Sequence, residues 1–139
     1  MRQALHLAAR AYEEGEVPIG ALVVSHNFRI IGKGYNQTER LNDPTAHAEM
    51  LALTAACDHL GSKILEGCTL FVTVEPCLMC AGALLWARPD RLVFGTAEPK
   101  SGYSRIATHP LHPRTEVFSG VMEAECRELM QRFFLEKRK

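Results

Sequence analysis

The sequence predicts an α/β protein, a three-layer α/β/α sandwich built on a mixed five-stranded sheet. Three observations carry this. Residues 17–26 (VPIGALVVSH) and 28–36 (FRIIGKGYN) are two runs rich in β-branched residues, with only Asn27 between them, which reads as an antiparallel hairpin. Beyond residue 40, strand-length apolar runs alternate with helical patterns, which calls for a parallel crossover and helices on both sheet faces. The first and last segments each repeat apolar residues at helical spacing.

Met1, Leu5, Ala8 and Tyr12 share one helical face, and Gly15 stands just past its end. The hairpin follows, then a polar loop, QTERLNDPT (37–45). Asp43 or Thr45 is suited to cap a helix, with Pro44 tolerated in its first turn. That helix is expected to run to Leu60 and stop at Gly61. GCTLFVTVE (67–75) reads as a strand, and Pro76 as the first position of a helix reaching Arg88. DRLVFGT (90–96) is another strand. Three prolines and a glycine make 98–113 mostly loop, and RTEVFSG (114–120) holds a last short strand. Met122, Cys126, Leu129, Met130 and Phe133 mark a terminal helix, with Ser119 as its expected cap.

At 139 residues the chain reads as a single domain, 1–139, with a core that needs no staples. Sixteen basic and sixteen acidic residues balance, so the overall charge does not advertise nucleic-acid binding; only the terminal EKRK is a basic run. No apolar stretch approaches a membrane span, and the first residues pattern as a helix, not as a signal peptide. Five cysteines without a secretion signal fit a reducing, cytoplasmic compartment. No organic cofactor is indicated.

The chemistry concentrates in TAHAEM (45–50) and TVEPCLMCAG (73–82). His47 precedes Cys77 by one helix, one loop and one strand, enough chain to bring two helix N-termini together at one sheet edge. Helix N-termini lower thiol pKa values, and two thiolates with an imidazole make a good zinc set. Three protein ligands leave the fourth tetrahedral position open, as catalytic rather than structural sites do. Glu49 then supplies a carboxylate for proton transfer. Residues two apart on a helix do not share a face, so His47 and Glu49 converge only if Glu49 reaches around the helix start. Rival readings exist. The CxxC pair alone suits a thioredoxin-like redox couple or two buried thiols, but Pro76 precedes the pair and redox chemistry gives HAE no task. A closed structural zinc would draw a fourth ligand from Cys57, Cys68, His59 or Cys126. A zinc-stabilised scaffold without activity has no use for Glu49.

HAE followed by PCLMC resembles the H-x-E…P-C-x-x-C signature of the zinc-dependent cytidine and deoxycytidylate deaminase superfamily. GEVPIGALVV, GYN, DPTAHAEM, VTVEPCLMCAGAL, RLVFG and GVMEAECRELMQRFF, in this order over nearly the whole chain, resemble the bacterial tRNA-specific adenosine deaminases. The resemblance implies a cytidine deaminase-like fold, one Zn2+ per chain, a homodimer, and adenosine-to-inosine conversion at the wobble position of a tRNA anticodon stem-loop. It gives His47, Cys77 and Cys80 the role of metal ligands and Glu49 that of proton shuttle. Asn36 matches a residue that hydrogen-bonds the extracted base. Val17 matches an apolar pocket wall, and Ala48 offers its backbone N–H. Phe133, Phe134 and the basic residues Lys137 and Arg138 fall where the family meets RNA; as neighbours on a helix, the two phenylalanines are also core candidates. The alternative substrate is a free base or nucleoside of guanine or cytosine type, handled on the same fold. Met79 and Trp86 read as core or dimer contacts.

Overall fold

A computed structural model describes residues 1–138. The chain runs α1 (Arg2–Glu13), β1 (Gly20–Val24), β2 (Ile30–Tyr35), α2 (Ala48–Leu60), β3 (Thr69–Val74), α3 (Leu78–Ala87), β4 (Arg91–Thr96), α4 (Tyr103–Ile106), β5 (Glu116–Phe118) and α5 (Glu123–Lys137). The strands form one sheet in the order β2-β1-β3-β4-β5. β1 is antiparallel to β2 and β3, whereas β3, β4 and β5 run parallel, so the sheet is mixed as expected. The β3–α3–β4 crossover leaves the carboxyl ends of β3 and β4 side by side, the edge where open α/β sheets place ligands.

Glycines set how closely the helices lie on the sheet. A Cβ at Gly34 would run into the backbone of Ala48 and Ala52, so the missing side chain lets α2 settle directly onto β2. Gly20 does the same for α1, meeting Ala4 and Ala8. Gly34 pairs with Ala21, the residue after Gly20, and successive strand residues face opposite ways. Helices α1 and α2 therefore cover opposite faces. α5 packs beside α1, and α3 beside α2, completing three layers. The core between sheet and α2/α3 holds Val23, Leu53, Leu70, Val72, Leu84 and Leu92, nearly all fully buried.

Several boundaries differ from the sequence reading. α2 begins at Ala48 with His47 as its N-cap, not at Asp43 or Thr45. The Asp43 carboxylate instead accepts the N–H and hydroxyl of Thr45 at 2.8 Å, an Asx-type turn ahead of the helix. α3 begins at Leu78 with Cys77 as N-cap, which leaves Pro76 outside it. The cap of α5 is Met122, in the left-handed region at φ 54°, and not Ser119: Gly120 donates to Gly95 and steers the chain past the sheet first. The hairpin turn is longer than a single Asn27, because Phe28 takes φ 63° and Arg29 lies outside the strand. Residues 98–113 contain the one-turn helix α4. Gly61 closes α2 in the left-handed conformation, as read.

Candidate metal centre and active site

The two N-caps build the site. His47 (φ −76°, ψ 153°) and Cys77 (φ −72°, ψ 174°) are both extended residues at the mouth of a helix, and Cys80 sits in the first turn of α3. This geometry removes the difficulty of the i, i+2 spacing. His47 is not on the helix, so its ring and the Glu49 side chain need not share a helical face. The His47 Nδ1 lies 3.6 Å from Cys77 Sγ and 3.5 Å from Cys80 Sγ, and the three ligand atoms all fall within 4.8 Å of one another. A tetrahedral Zn2+ with ordinary Zn–S and Zn–N bonds separates sulfur from nitrogen by about 3.6 Å. The donor set and its spacing fit that ion. Among the described residues, no fourth His, Cys, Asp or Glu joins the group, so Cys57, Cys68, His59 and Cys126 do not close it.

The electrostatics follow from this crowding. Cys77 is pulled down to about 4, first by a hydrogen bond from the Cys80 thiol and, against burial, by the His47 imidazole. Cys80 is pushed up by that same sharing, with burial and nearby Glu49 adding to it. The two sulfurs thus compete for one proton beside the imidazole. His47 is raised, chiefly by its hydrogen bond with Cys77. Glu49 is buried at 3% exposure, and burial pushes its carboxyl up to about 7; the neighbouring Cys77 thiolate adds to the rise, while its own backbone N–H and His47 oppose it. A carboxyl held near neutrality can both take and give a proton.

Asn36 directly follows β2, with 7% exposure, and donates its backbone N–H to Ile19 at 3.1 Å. Its side-chain Oδ1 is buried without a hydrogen-bond partner. Buried acceptors are normally paired, so an orphan here points to a missing ligand. Ala48 is fully buried, and as the first residue of α2 its N–H has no partner inside the helix.

A groove of about 940 Å³ runs from Val17 and Ile19 past the ends of β3 and β4 to α5, where Phe134 and Arg138 line it. Pro99, Lys100 and Ser101 form another wall. α5 separates its two phenylalanines. Phe133 is buried edge-on against Tyr12, while Phe134 is 44% exposed. Lys137 does not line the groove: its ammonium sits 5.5 Å over the Phe133 ring, because one position along a helix turns the side chain to another face.

Two buried carboxylates escaped the sequence reading. Glu16, 1% exposed, accepts the backbone N–H groups of Glu39 and Arg40 at 3.1 and 2.8 Å and ties down the loop between Asn36 and His47. Glu75, 5% exposed, does the equivalent for the loop after β4. The available signal was an acid set in apolar surroundings, as in LFVTVEP, since a buried carboxylate requires partners.

Comparison with known proteins agrees with this site. The family model of the cytidine and deoxycytidylate deaminase zinc-binding region matches residues 1–96. The tRNA-specific adenosine deaminase of Bacillus subtilis is 45% identical over 144 residues, spanning 100% of this chain and 89% of that protein. A solved structure from work on A-to-I editing by tRNA:A34 deaminases at the wobble position of transfer RNA superimposes with a TM-score of 0.85 at 41% identity, covering 93% of this chain and 96% of that one. The guanine deaminase of Bacillus subtilis is also similar, with a TM-score of 0.67 and 38% identity over 76% of this chain and 70% of that one. With its ligand cluster, its fold and its full-length relatives all pointing one way, the chain belongs to the cytidine and deoxycytidylate deaminase family, and within it stands with the tRNA-specific adenosine deaminases.

Proposed function

We propose that residues 1–139 form one zinc-dependent hydrolase domain that deaminates adenosine to inosine at the wobble position of a tRNA anticodon. The observation that carries the chemistry is Glu49, a carboxylate buried beside a three-ligand His/Cys/Cys group. The substrate assignment draws on likeness to the Bacillus subtilis tRNA-specific adenosine deaminase along the full chain.

His47, Cys77 and Cys80 would hold one Zn2+ per chain. Bound there, the ion supplies Lewis-acid activation of a water molecule. Glu49 takes a proton from the attacking water and delivers it to nitrogen 1 of adenine. It then takes the second proton from the new hydroxyl on carbon 6 and hands it to the amino group as the C6–N bond breaks and the C6=O bond forms, so water and adenosine become inosine and ammonia. Asn36 offers its unpaired acceptor to a donor on the extracted nucleoside, the Ala48 N–H donates at the helix mouth, and Val17 supplies an apolar wall. A wobble base already sits in a loop, so drawing it out costs less than flipping a base from a duplex. The groove lined by Phe134 and Arg138 receives the rest of the anticodon stem-loop, and Lys137, outside the groove lining, adds positive charge in the last turn of α5.

The partner besides RNA is a second copy. α3 presents Leu78, Met79 and Trp86 to solvent, with Trp86 72% exposed. Next to it a hollow of about 570 Å³ between α2 and α3 is lined by Met50, Leu53 and Ala83. An apolar helix face flanking a hollow suits a homodimer contact. No described helix is long and apolar enough to cross a membrane, and all five cysteines are free, which fits work on tRNA in the cytoplasm.

Mass spectrometry of nucleosides from tRNA treated with the zinc-loaded chain tests the function. Inosine at the wobble position alone is the expected result. The likeness to a guanine deaminase motivates a second reading, deamination of a free base. Unchanged tRNA together with ammonia released from guanine would favour it.

A further inference from the structure

The chemistry above uses neither of the buried carboxylates that hold loops, and Glu75 stands where the metal site and the groove meet. It follows Val74 of β3 and precedes Pro76 and Cys77. Among the described residues, none of the ion pairs involves it. Its charge is met by two backbone donors. Oε1 accepts the N–H of Glu98 at 3.1 Å, and Oε2 accepts the N–H of Ser104 at 3.0 Å. Those two donors bracket the loop 98–104.

Two further contacts press the middle of this loop onto the metal-ligand turn, and a third closes the loop on itself. Tyr103 donates its N–H to the Pro76 carbonyl at 2.9 Å, and Gly102 bridges to Cys77 in antiparallel fashion. Gly102 also donates to the Glu98 carbonyl at 3.0 Å. Its φ of −61° is open to any residue, so glycine is not required for conformation. It is required for space, because a Cβ there would lie 2.5 Å from the Glu75 carboxyl carbon and 2.6 Å from the Glu98 carbonyl oxygen. The loop is shaped around the carboxylate. Its outward residues Pro99, Lys100 and Ser101 form the groove wall shared with Phe134 and Arg138.

We propose that Glu75 is a positioning residue for polynucleotide binding: its carboxylate latches loop 98–104 to the turn that carries Cys77, and so fixes one groove wall relative to the metal centre. The proposal rests on reading the groove as the seat of the stem-loop. A buried carboxylate stays where its donors are, because losing one of them leaves charge uncompensated. The latch therefore has little freedom. The reacting groups stand in the first turns of α2 and α3 (Glu49 and Cys80) and at their N-caps (His47 and Cys77), and do not depend on the outward side of the loop. Loss of the latch is thus a loss of binding more than of the chemical step.

The test compares zinc-loaded wild type with Glu75→Gln and Gly102→Ala. Glutamine keeps the shape but turns an amino group toward one of the two backbone donors. Alanine at 102 pushes on the latch from the loop side. For both variants, KM for a minimal anticodon stem-loop, and its dissociation constant by fluorescence anisotropy, should rise about tenfold, the scale of one lost hydrogen bond to a charged group. kcat should stay within about threefold, since ground-state binding is what was removed. Zinc content should match wild type, and the amides of Glu98 and Ser104 should exchange with deuterium at least about tenfold faster. Unchanged exchange, lost zinc, or a fall in kcat at constant KM would each overturn the latch. Wild type that binds the stem-loop without deaminating it would sink the activity but leave the latch to be judged on affinity. Wild type that does not bind it at all would sink both.

Discussion

The Nδ1 of His47 stands 3.5 Å from the Sγ of Cys80, although 33 positions separate them in the chain. The contact exists because α2 and α3 open at the same sheet edge, and each is capped by a metal-ligand residue. The same edge holds Glu49, which is buried almost as completely as Cys80, whereas His47 and Cys77 are half-buried.

Ligand and shuttle variants should part company. Cys80→Ser removes one of three donors and should leave less than about a tenth of the zinc after dialysis, with activity lost in proportion. Glu49→Gln should retain zinc as wild type does while turnover falls at least about a hundredfold, the lower bound for a general acid–base group. Elemental analysis and nucleoside chromatography on the same samples read both. Turnover surviving in Glu49→Gln would remove the shuttle from the mechanism.

Removal of the metal should unmask one fast thiol. With Cys77 drawn down to about 4, its alkylation after chelation should already be at its plateau at pH 6 and stay level to pH 8. Cys57 and Cys68 are raised by burial and Cys126 is pushed to about 11, so their labelling should climb with pH across the same window. The sign follows from the thiolate fraction: a lowered pKa saturates early, and a raised one keeps rising. Peptide mapping of iodoacetamide adducts checks the order. Equal labelling of all five would contradict the site electrostatics.

Asn36→Ala should separate function from stability. The substitution deletes a buried acceptor without a partner, which relieves about 1–3 kcal/mol of desolvation cost and offsets the cavity it leaves. The melting temperature should therefore hold within a few degrees, about 1 kcal/mol equivalent. Activity on the stem-loop should drop at least about tenfold, one missing hydrogen bond in the bound state. A large fall in melting temperature with activity preserved would make Asn36 a purely structural residue.

Trp86→Glu should yield monomers. The indole is the most exposed large group on α3, and a carboxylate there would be buried unpaired if two copies met at this face. Sedimentation velocity across a range of concentrations should find a dimer in the wild type and a single chain in the variant. A wild type that sediments as a monomer throughout would remove the homodimer.

The candidate chemistry was legible in the sequence because it depends on residue types at short spacing. HAE and PCLMC name the donors and the carboxylate, and β-branched runs name the strands. These are local properties, set by side-chain shape and acid–base character. Helix starts were less legible. Asp43 and Thr45 are good caps by composition, but their hydrogen bonds close a turn, and packing of α2 onto glycine-bearing β2 starts the helix at Ala48 instead. The partition of Phe133 into the core and Phe134 into the groove was decided by where α5 meets α1.

What the sequence determined alone is the inventory: a metal-binding set, a proton carrier and an alternating α/β pattern. Tertiary structure alone decided that Glu49 is buried, that Asn36 keeps an unpaired acceptor, and that Glu16 and Glu75 each grip a distant loop. The physical reason is that burial and backbone pairing across more than twenty residues belong to the packed molecule, and no local pattern encodes which amide a carboxylate will find.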